Sequence, residues 1–452
     1  MARAFDLMQQ TLFECDFDHG GSASDFLDPA FAGNKIIPLH RWVPWIAGFS
    51  RDFVRGVLQR YLSGKGTVLD PFAGVGTTLV EALLLGHDAV GFEINPYAAL
   101  SCKTKLESHK IRIDLFADEI ARFQKFYFDA TLNGYRPKSK PPPGFRTRSD
   151  FYGPEVLRKV LIVIDFIESL QDGPLRELFR IAFGSTMVTY SNYSYEPSLS
   201  RRVAVGKAEI TDYPVGETVA MKLREMVEDI KWIRREVPAN HGKASVINAS
   251  FMDSHHLLSS RSADLILTSP PYLNNYHYNR NTRPHLYWLG LVQSPAEMKD
   301  LENRNFGKYW QTVRELSSVR LDFDLQDSEL QQTLDLLRTK GTDRGIYGGN
   351  GWANYAATYF NDCHQFLRCA HRVLKKGGTA LIVIGNSILQ GTMIPTDRHL
   401  AKIGELVGLE LVGIQIPRAT RVGNSIIQSD VRVGKAKKSD SLYESVVELR
   451  KP

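Results

Sequence analysis

The chain is predicted to fold as an α/β protein, a doubly wound parallel sheet carrying a mainly helical insertion. Three observations predict this. Short apolar runs, Thr67-Val68-Leu69 and Ala89-Val90-Gly91-Phe92, flank a helical stretch from Thr78 to Leu85, the alternation of a parallel sheet. The first run ends in a glycine-rich turn, Asp70-Pro71-Phe72-Ala73-Gly74-Val75-Gly76-Thr77-Thr78. The pattern then breaks, and the next good strand is Ser245-Val246-Ile247. Residues 126–243 therefore read as an insertion, in an α/β domain made of 31–125 and 244–452. Residues 1–30 lack periodicity and read as a loose arm.

Composition narrows the classes. The chain has 452 residues, 43% of them hydrophobic and 23% charged, which suits a soluble protein with a sizeable core. No run of eighteen apolar residues occurs, and Met1-Ala2-Arg3-Ala4-Phe5-Asp6 lacks the apolar stretch of a signal peptide. No membrane partner is expected. The four cysteines form no CxxC pair, so a reducing cytoplasm is the expected setting. A net charge of +6 mildly favours a polyanionic partner.

The remaining elements follow in order. A helix starts near Asn95. The insertion opens on a basic, proline-rich segment, Tyr135 to Pro143, which cannot be helix or central strand. Helical patterns run over 154–170, 174–187 and 215–235, with a polar, aromatic tract at 190–202. Ala263 to Thr268 reads as a buried strand. Residues 295–350 are charged and carry no clear pattern. Asn354 to Leu374 reads as a helix stopped by Lys375-Lys376-Gly377-Gly378. Strands are expected at 379–384, 410–414 and 445–449.

Two loops carry chemistry. Gly74 and Gly76 allow a sharp turn and close approach to a ligand, and the helix behind offers free amides. A dinucleotide fingerprint would need glycine where Leu79 stands, and a phosphate loop would need lysine where Thr77 stands. Asp70 can accept from a cationic amino group, and Glu93 can take ribose hydroxyls. The second loop is Thr268-Ser269-Pro270-Pro271-Tyr272. Its prolines remove two donors, leaving carbonyls and the Ser269 hydroxyl as acceptors for an exocyclic amine. Tyr272 can stack on a base. The competing readings are plain ones: tight turns, a solvated strand-end carboxylate and a packed tyrosine. Together the loops point to methyl transfer from S-adenosylmethionine to a nucleobase amine. No metal site is evident, since the adjacent His255 and His256 point in different directions.

On these motifs the chain resembles the S-adenosylmethionine-dependent DNA amino-methyltransferases of the cytosine-N4/adenine-N6 group. The resemblance covers roughly 35–125 and 244–450 and implies a seven-stranded class I (Rossmann-like) methyltransferase sheet. It implies cofactor contacts from Asp70, Pro71, Phe72, Ala73, Gly74, Gly76, Thr77, Thr78, Glu93 and Ile94. His40-Arg41-Trp42-Val43-Pro44-Trp45-Ile46 resembles the segment packing on the methionine end, which adds His40, Trp42 and Pro44. Ser250 and Asp253 stand near the place of the adenine contact. Ser269, Pro270, Pro271 and Tyr272 match the catalytic loop, and Ser269 leans toward cytosine N4 over adenine N6. Two features depart from the group: the cofactor loop precedes the catalytic loop, and Asn248-Ala249-Ser250 replaces an acidic residue.

The resemblance further implies double-stranded DNA as partner, base flipping, and a prokaryotic, nucleoid-associated restriction–modification or epigenetic role with a cognate endonuclease. Arg136, Lys138, Lys140, Arg146 and Arg148 can follow a phosphate backbone. Asn192, the tyrosines Tyr190, Tyr193 and Tyr195, Arg201, Arg202, Asn274 and Tyr278 are further candidates for DNA contact. The plain alternative is a solvated linker and a helical packing unit. Rival functions are adenine-N6 methylation, RNA amino-methylation and a non-catalytic DNA-binding subunit. Cytosine-C5 chemistry is disfavoured because no Pro-Cys loop occurs.

Overall fold

The computed structural model describes residues 24–45, 48–195, 199–273, 278–325, 329–421 and 441–452. The first long helix is α1 (Arg51–Tyr61), N-capped by the Ser50 side chain. β1 (Thr67–Asp70) then leads through the glycine turn into α2 (Thr77–Leu84), β2 (Asp88–Phe92) and α3 (Pro96–Glu107). Asn95 caps α3 by accepting from the amides of Tyr97 and Ala98, with Pro96 at the first helical position.

The insertion supplies α4 (Ile113–Leu132), α5 (Pro154–Ser169), α6 (Gly173–Thr186), the ribbon β3 (Tyr193–Tyr195) and β4 (Leu199–Arg201), and α7 (Val215–Glu236). The sheet resumes with β5 (Ala244–Ile247) and β6 (Ala263–Thr268). Next come α8 (Tyr278–Trp288), α9 (Pro295–Asn303), α10 (Glu329–Thr339) and α11 (Asn350–Val373). The chain finishes with β7 (Leu374–Gly385), the hairpin β8 (Ser387–Leu389) and β9 (Thr392–Ile394), α12 (Thr396–Leu406), β10 (Glu410–Arg421) and β11 (Ser441–Arg450).

The main sheet has seven strands in the order β10-β11-β7-β6-β1-β2-β5. β5, β2, β1, β6 and β7 are parallel. β11 lies antiparallel between β7 and β10. The chain winds outward from β1 to β5, then returns to the other side of β1 at β6. That reversal leaves a crevice at the carboxyl ends of β1 and β6. Alternate strand residues feed opposite faces: Leu265 and Leu267 join one core, Ile266 the other. α2 is buried along its whole length, which its apolar sequence requires.

Several elements differ from the sequence reading. Residue 126 falls inside α4, because the stripe Phe116, Ile120, Phe123, Tyr127 and Ala130 runs past it. Phe123 packs on Phe166 and Phe179 with ring centroids 5.1 and 5.7 Å away. The buried side chains of α5, α6 and α7 share one core with those of α1, α2 and α3. The described residues of the unassigned 295–350 stretch include α9, a single helical turn at Trp310–Val313, and α10, which buries Leu330, Leu334 and Leu337. The Lys375 to Gly378 segment opens β7 instead of ending a helix in a loop. Of the expected arm, 1–23 lies outside the described residues, while the Asp25 amide donates to Gln415.

Candidate active site

β1 and β6 pair with Leu69 opposite Ile266, so the loops leaving them begin side by side. Thr268 joins them: its hydroxyl donates to Asp70 Oδ1 at 2.7 Å, across 198 residues of sequence. The Phe72 amide donates to the same oxygen at 3.1 Å. Around this junction lies a cleft of about 290 Å³.

The glycine turn is shaped from behind. Gly76 has φ +88°, and a Cβ there would stand 2.4 Å from Cys102 Sγ on α3, so only glycine fits. Gly74 has φ +52° and passes under Trp45. The buried Lys105 Nζ donates to the Val75 carbonyl at 3.0 Å, and burial pushes its pKa down to about 7.

Glu93, just past β2, draws the turn toward α3. Its Oε2 accepts from the Gly74 amide at 2.8 Å and its Oε1 from the Asn95 amide at 2.7 Å. A carboxylate has lone pairs to spare beyond these two bonds. Burial raises Glu93 to about 7 and Asp70 to about 6, in both cases against their hydrogen bonds. The Asp70 charge raises Glu93 further. Two carboxyls so destabilised make the cleft a good host for a cation and for hydroxyl donors.

Asp70, Pro71, Phe72, Ala73, Gly74, Thr77, Thr78, Glu93 and Ile94 all line the cleft, as do Ser250, Asp253, Ser269, Pro271 and Tyr278. Gly76 sits behind the lining and Pro270 is buried beside it. Tyr272 does not line the cleft: its hydroxyl donates to Glu444 Oε1 on β11 at 3.1 Å and interacts with the Ser269 side chain beside it. Tyr359 donates to the Pro271 carbonyl at 3.0 Å, so that acceptor is already engaged.

The upstream segment is arranged differently from its reading. His40 Nε2 meets Glu81 Oε1 at 2.7 Å inside the core, and burial lowers the His40 pKa. Trp42 Nε1 donates to Asp229 on α7 at 2.9 Å. Pro44 is exposed. Among the described residues of this segment, Trp45 reaches the cleft, stacked on Tyr278 with centroids 5.9 Å apart.

The inserted candidates divide as well. Asn192 is buried, and its side chain accepts from the Ile210 amide and donates to the Asp150 carbonyl. Tyr190 is buried too, and Tyr193 stacks on Phe151. Tyr195 donates to the Asn281 carbonyl on α8, and Arg202 to the Ala208 carbonyl. Arg136, Lys138, Lys140 and Arg201 are exposed, and none lines the cleft. Asn274 lies outside the described residues.

Sequence reasoning missed the facing wall, Arg304 to Tyr309. Phe306 meets the Phe72 ring at 5.1 Å, edge to face. The Gly307 amide donates to Asp362 on α11 at 2.8 Å. Asn279 Nδ2 donates to Asn305 Oδ1, and Asn95 Nδ2 donates to Asn279 Oδ1. That buried amide chain ties the wall to the start of α3. No motif announces it, because the asparagines that hold it, Asn95, Asn279 and Asn305, are scattered along the sequence.

Cys102 and Cys363 are buried, and burial pushes both thiols far above the usual range. Neither is a nucleophile at neutral pH.

Comparison with known proteins agrees with this geometry. Residues 44–103, spanning Trp45, the glycine turn and Glu93, match the DNA-methylase family N6_N4_Mtase. Over that segment the chain is similar to the DNA methylases of this family. The Type II methyltransferase M.BsoBI of Geobacillus stearothermophilus is 25% identical, covering 88% of this chain and 83% of its own. M.AvaI of Nostoc sp. is also 25% identical, over 88% of this chain and 84% of its own. M.MvaI of Kocuria varians is 23% identical, over 74% and 73%. These relationships support a DNA methyltransferase of the N4/N6 type, whose cofactor is S-adenosylmethionine. The cleft suits that cofactor: a glycine turn packed so closely on Cys102 and Trp45 that a Cβ has little room, a strand-end carboxylate with free lone pairs, and flanking aromatic rings. Among the described residues, no helix is long and apolar enough to cross a membrane.

Proposed function

We propose that this chain is a site-specific DNA methyltransferase that methylates the exocyclic N4 amine of cytosine in double-stranded DNA. The observation that carries the reading is the Thr268–Asp70 bond, which sets Ser269 beside the glycine turn. In this reading the protein acts in restriction–modification or epigenetic marking, in a prokaryotic cytoplasm, with a cognate endonuclease as counterpart.

Asp70, the Gly74 turn, Glu93 and Ile94 hold the cofactor. Glu93 accepts ribose hydroxyls with the lone pairs that Gly74 and Asn95 leave free. Ser250 and Asp253 border the adenine end, and Trp45 with the Gly74 backbone walls the methionine end. S-adenosylmethionine supplies an electrophilic methyl group. A duplex base reaches the cleft only by leaving the stack. The Ser269 hydroxyl and the Pro270 carbonyl accept the hydrogens of its amine, which turns the nitrogen lone pair toward the cofactor side. The same two oxygens stabilise the positive charge that grows on that nitrogen. Tyr359 and Tyr272 brace the loop through the Pro271 carbonyl and Glu444. Ser269, in place of Asp or Asn, is the residue that favours cytosine.

The test is expression in a methylation-free bacterial host, followed by sequencing that reports modified bases directly. N4-methylcytosine at one short motif is expected. N6-methyladenine at one motif would keep the enzyme class and overturn the assignment drawn from Ser269.

A further inference from the structure

α8 leaves the cleft as a basic face. Its first two residues, Tyr278 and Asn279, line the cleft. Asn281, Thr282 and His285 are buried, which leaves Arg280 and Arg283, one turn apart, toward the outside. Arg280 interacts electrostatically with Tyr309, itself a cleft residue. The Arg283 guanidinium rides 5.5 Å over the Phe145 ring and 5.6 Å over the Tyr287 ring. It also donates to the Arg146 carbonyl at 3.0 Å. Stacking of this kind fixes a long side chain before any ligand arrives.

These cations are not spent on ion pairs: among the described residues, no carboxylate lies within ion-pair distance of Arg146, Arg280 or Arg283. Glu302 interacts electrostatically with both Arg283 and Arg280, one carboxylate against the three cations. We infer that the outer face of α8, Arg280 and Arg283 together with Arg146, grips the phosphates of the strand whose base enters the cleft. The inference rests on the DNA-methyltransferase reading and adds a surface to it. One helical turn separates the two arginines by about 4.5 Å along the axis, within reach of successive phosphates of one strand.

The proline-rich segment is the contrast. Its Lys138 and Ser139 amides donate at 2.7 Å to Asp165 on α5, and none of its residues lines the cleft. Asp165 thereby holds it on the helical layer.

The test measures affinity for a labelled DNA duplex across a salt series, for the wild type, Arg280→Gln/Arg283→Gln and Lys138→Gln/Lys140→Gln. S-adenosylmethionine binding by calorimetry checks that each variant is folded. The arginine pair is expected to lower affinity by about tenfold and the log–log salt slope by about two, with cofactor binding unchanged. Single Arg280→Gln, at an exposed position, is expected to lower the slope by about one. An unchanged slope in both arginine variants, or a slope that falls only in the lysine pair, would overturn the inference. Methyl transfer by the wild type separates the two claims: a chain that methylates DNA and keeps its slope without the arginines sinks this inference alone. A wild type that binds cofactor and never methylates DNA sinks the parent reading with it.

Discussion

Asp70 to Thr78 and the described residues around β3 and β4, 192–195 and 199–202, are both short segments rich in polar and aromatic side chains, and the fold uses them in opposite ways. In the first, backbone shape does the work. Gly74 and Gly76 take positive φ, the turn rests on Cys102, and every residue of it but Gly76 lines the cleft. In the second, side chains are consumed in tying the insertion together. Asn192 bridges Asp150 and Ile210, Tyr193 stacks on Phe151, and Tyr195 bonds to α8. A turn whose backbone demands particular residues announces its role; a turn rich in hydrogen-bonding side chains does not say where those bonds go.

The largest effect that separates the two turns should come from Gly76→Ala. It forces a Cβ to 2.4 Å from Cys102 Sγ at φ +88°, and the strain and overpacking should cost about 3–4 kcal/mol, read as a lower denaturant midpoint. An alanine variant as stable as the wild type would mean that the turn is less constrained than its geometry. Ser269→Ala comes next. It should lower kcat about a hundredfold while the S-adenosylmethionine Kd stays put; a KM effect alone would move Ser269 out of the chemical step.

Asn192→Ala should act on stability only. It strands the Ile210 amide and the Asp150 carbonyl, costing about 2 kcal/mol, with methyl transfer per folded molecule retained. A selective loss of DNA affinity would instead place Asn192 on the substrate.

The smallest effect is a pH dependence. Cofactor binding needs Glu93 ionised, and its pKa in the free cleft is raised to about 7. Affinity for S-adenosylmethionine should therefore fall about tenfold between pH 8 and pH 6. For the unliganded fold the sign is the reverse. A carboxyl with a raised folded pKa binds its proton better when folded. Asp70 and Glu93 therefore stabilise the free protein as pH falls from about 7 toward the ordinary carboxylate range, and withdraw that contribution above it. Calorimetry with and without cofactor distinguishes the two; a pH-independent Kd would contradict the role given to Glu93.

Much of the sheet was legible because its strands are apolar, short and set off by turns. The helices from Thr77, Pro96, Pro154 and Val215 were legible from their apolar spacing and, for Pro96 and Pro154, from proline at the start. The glycine turn and Ser269 were legible because close backbone approach restricts which residues can stand there. The wall from Arg304 to Tyr309 was not, since it is held by an asparagine chain from α3 and by Asp362, partners remote in sequence. His40 and Trp42 stand in a recognisable segment, but Glu81 engages His40 Nε2, Asp229 engages Trp42 Nε1, and the chain turns so that Trp45 reaches the cleft. Periodicity reports which face is buried, not which buried neighbour a polar atom meets.

The most direct measurement gives the purified chain methyl-labelled S-adenosylmethionine and duplex DNA, then digests the DNA and identifies the labelled nucleoside. Label in N4-methylcytosine with the wild type, and none with Ser269→Ala of equal cofactor affinity, is the predicted result. Label that stays equal in the two proteins, or never enters DNA although the cofactor binds, would contradict the account.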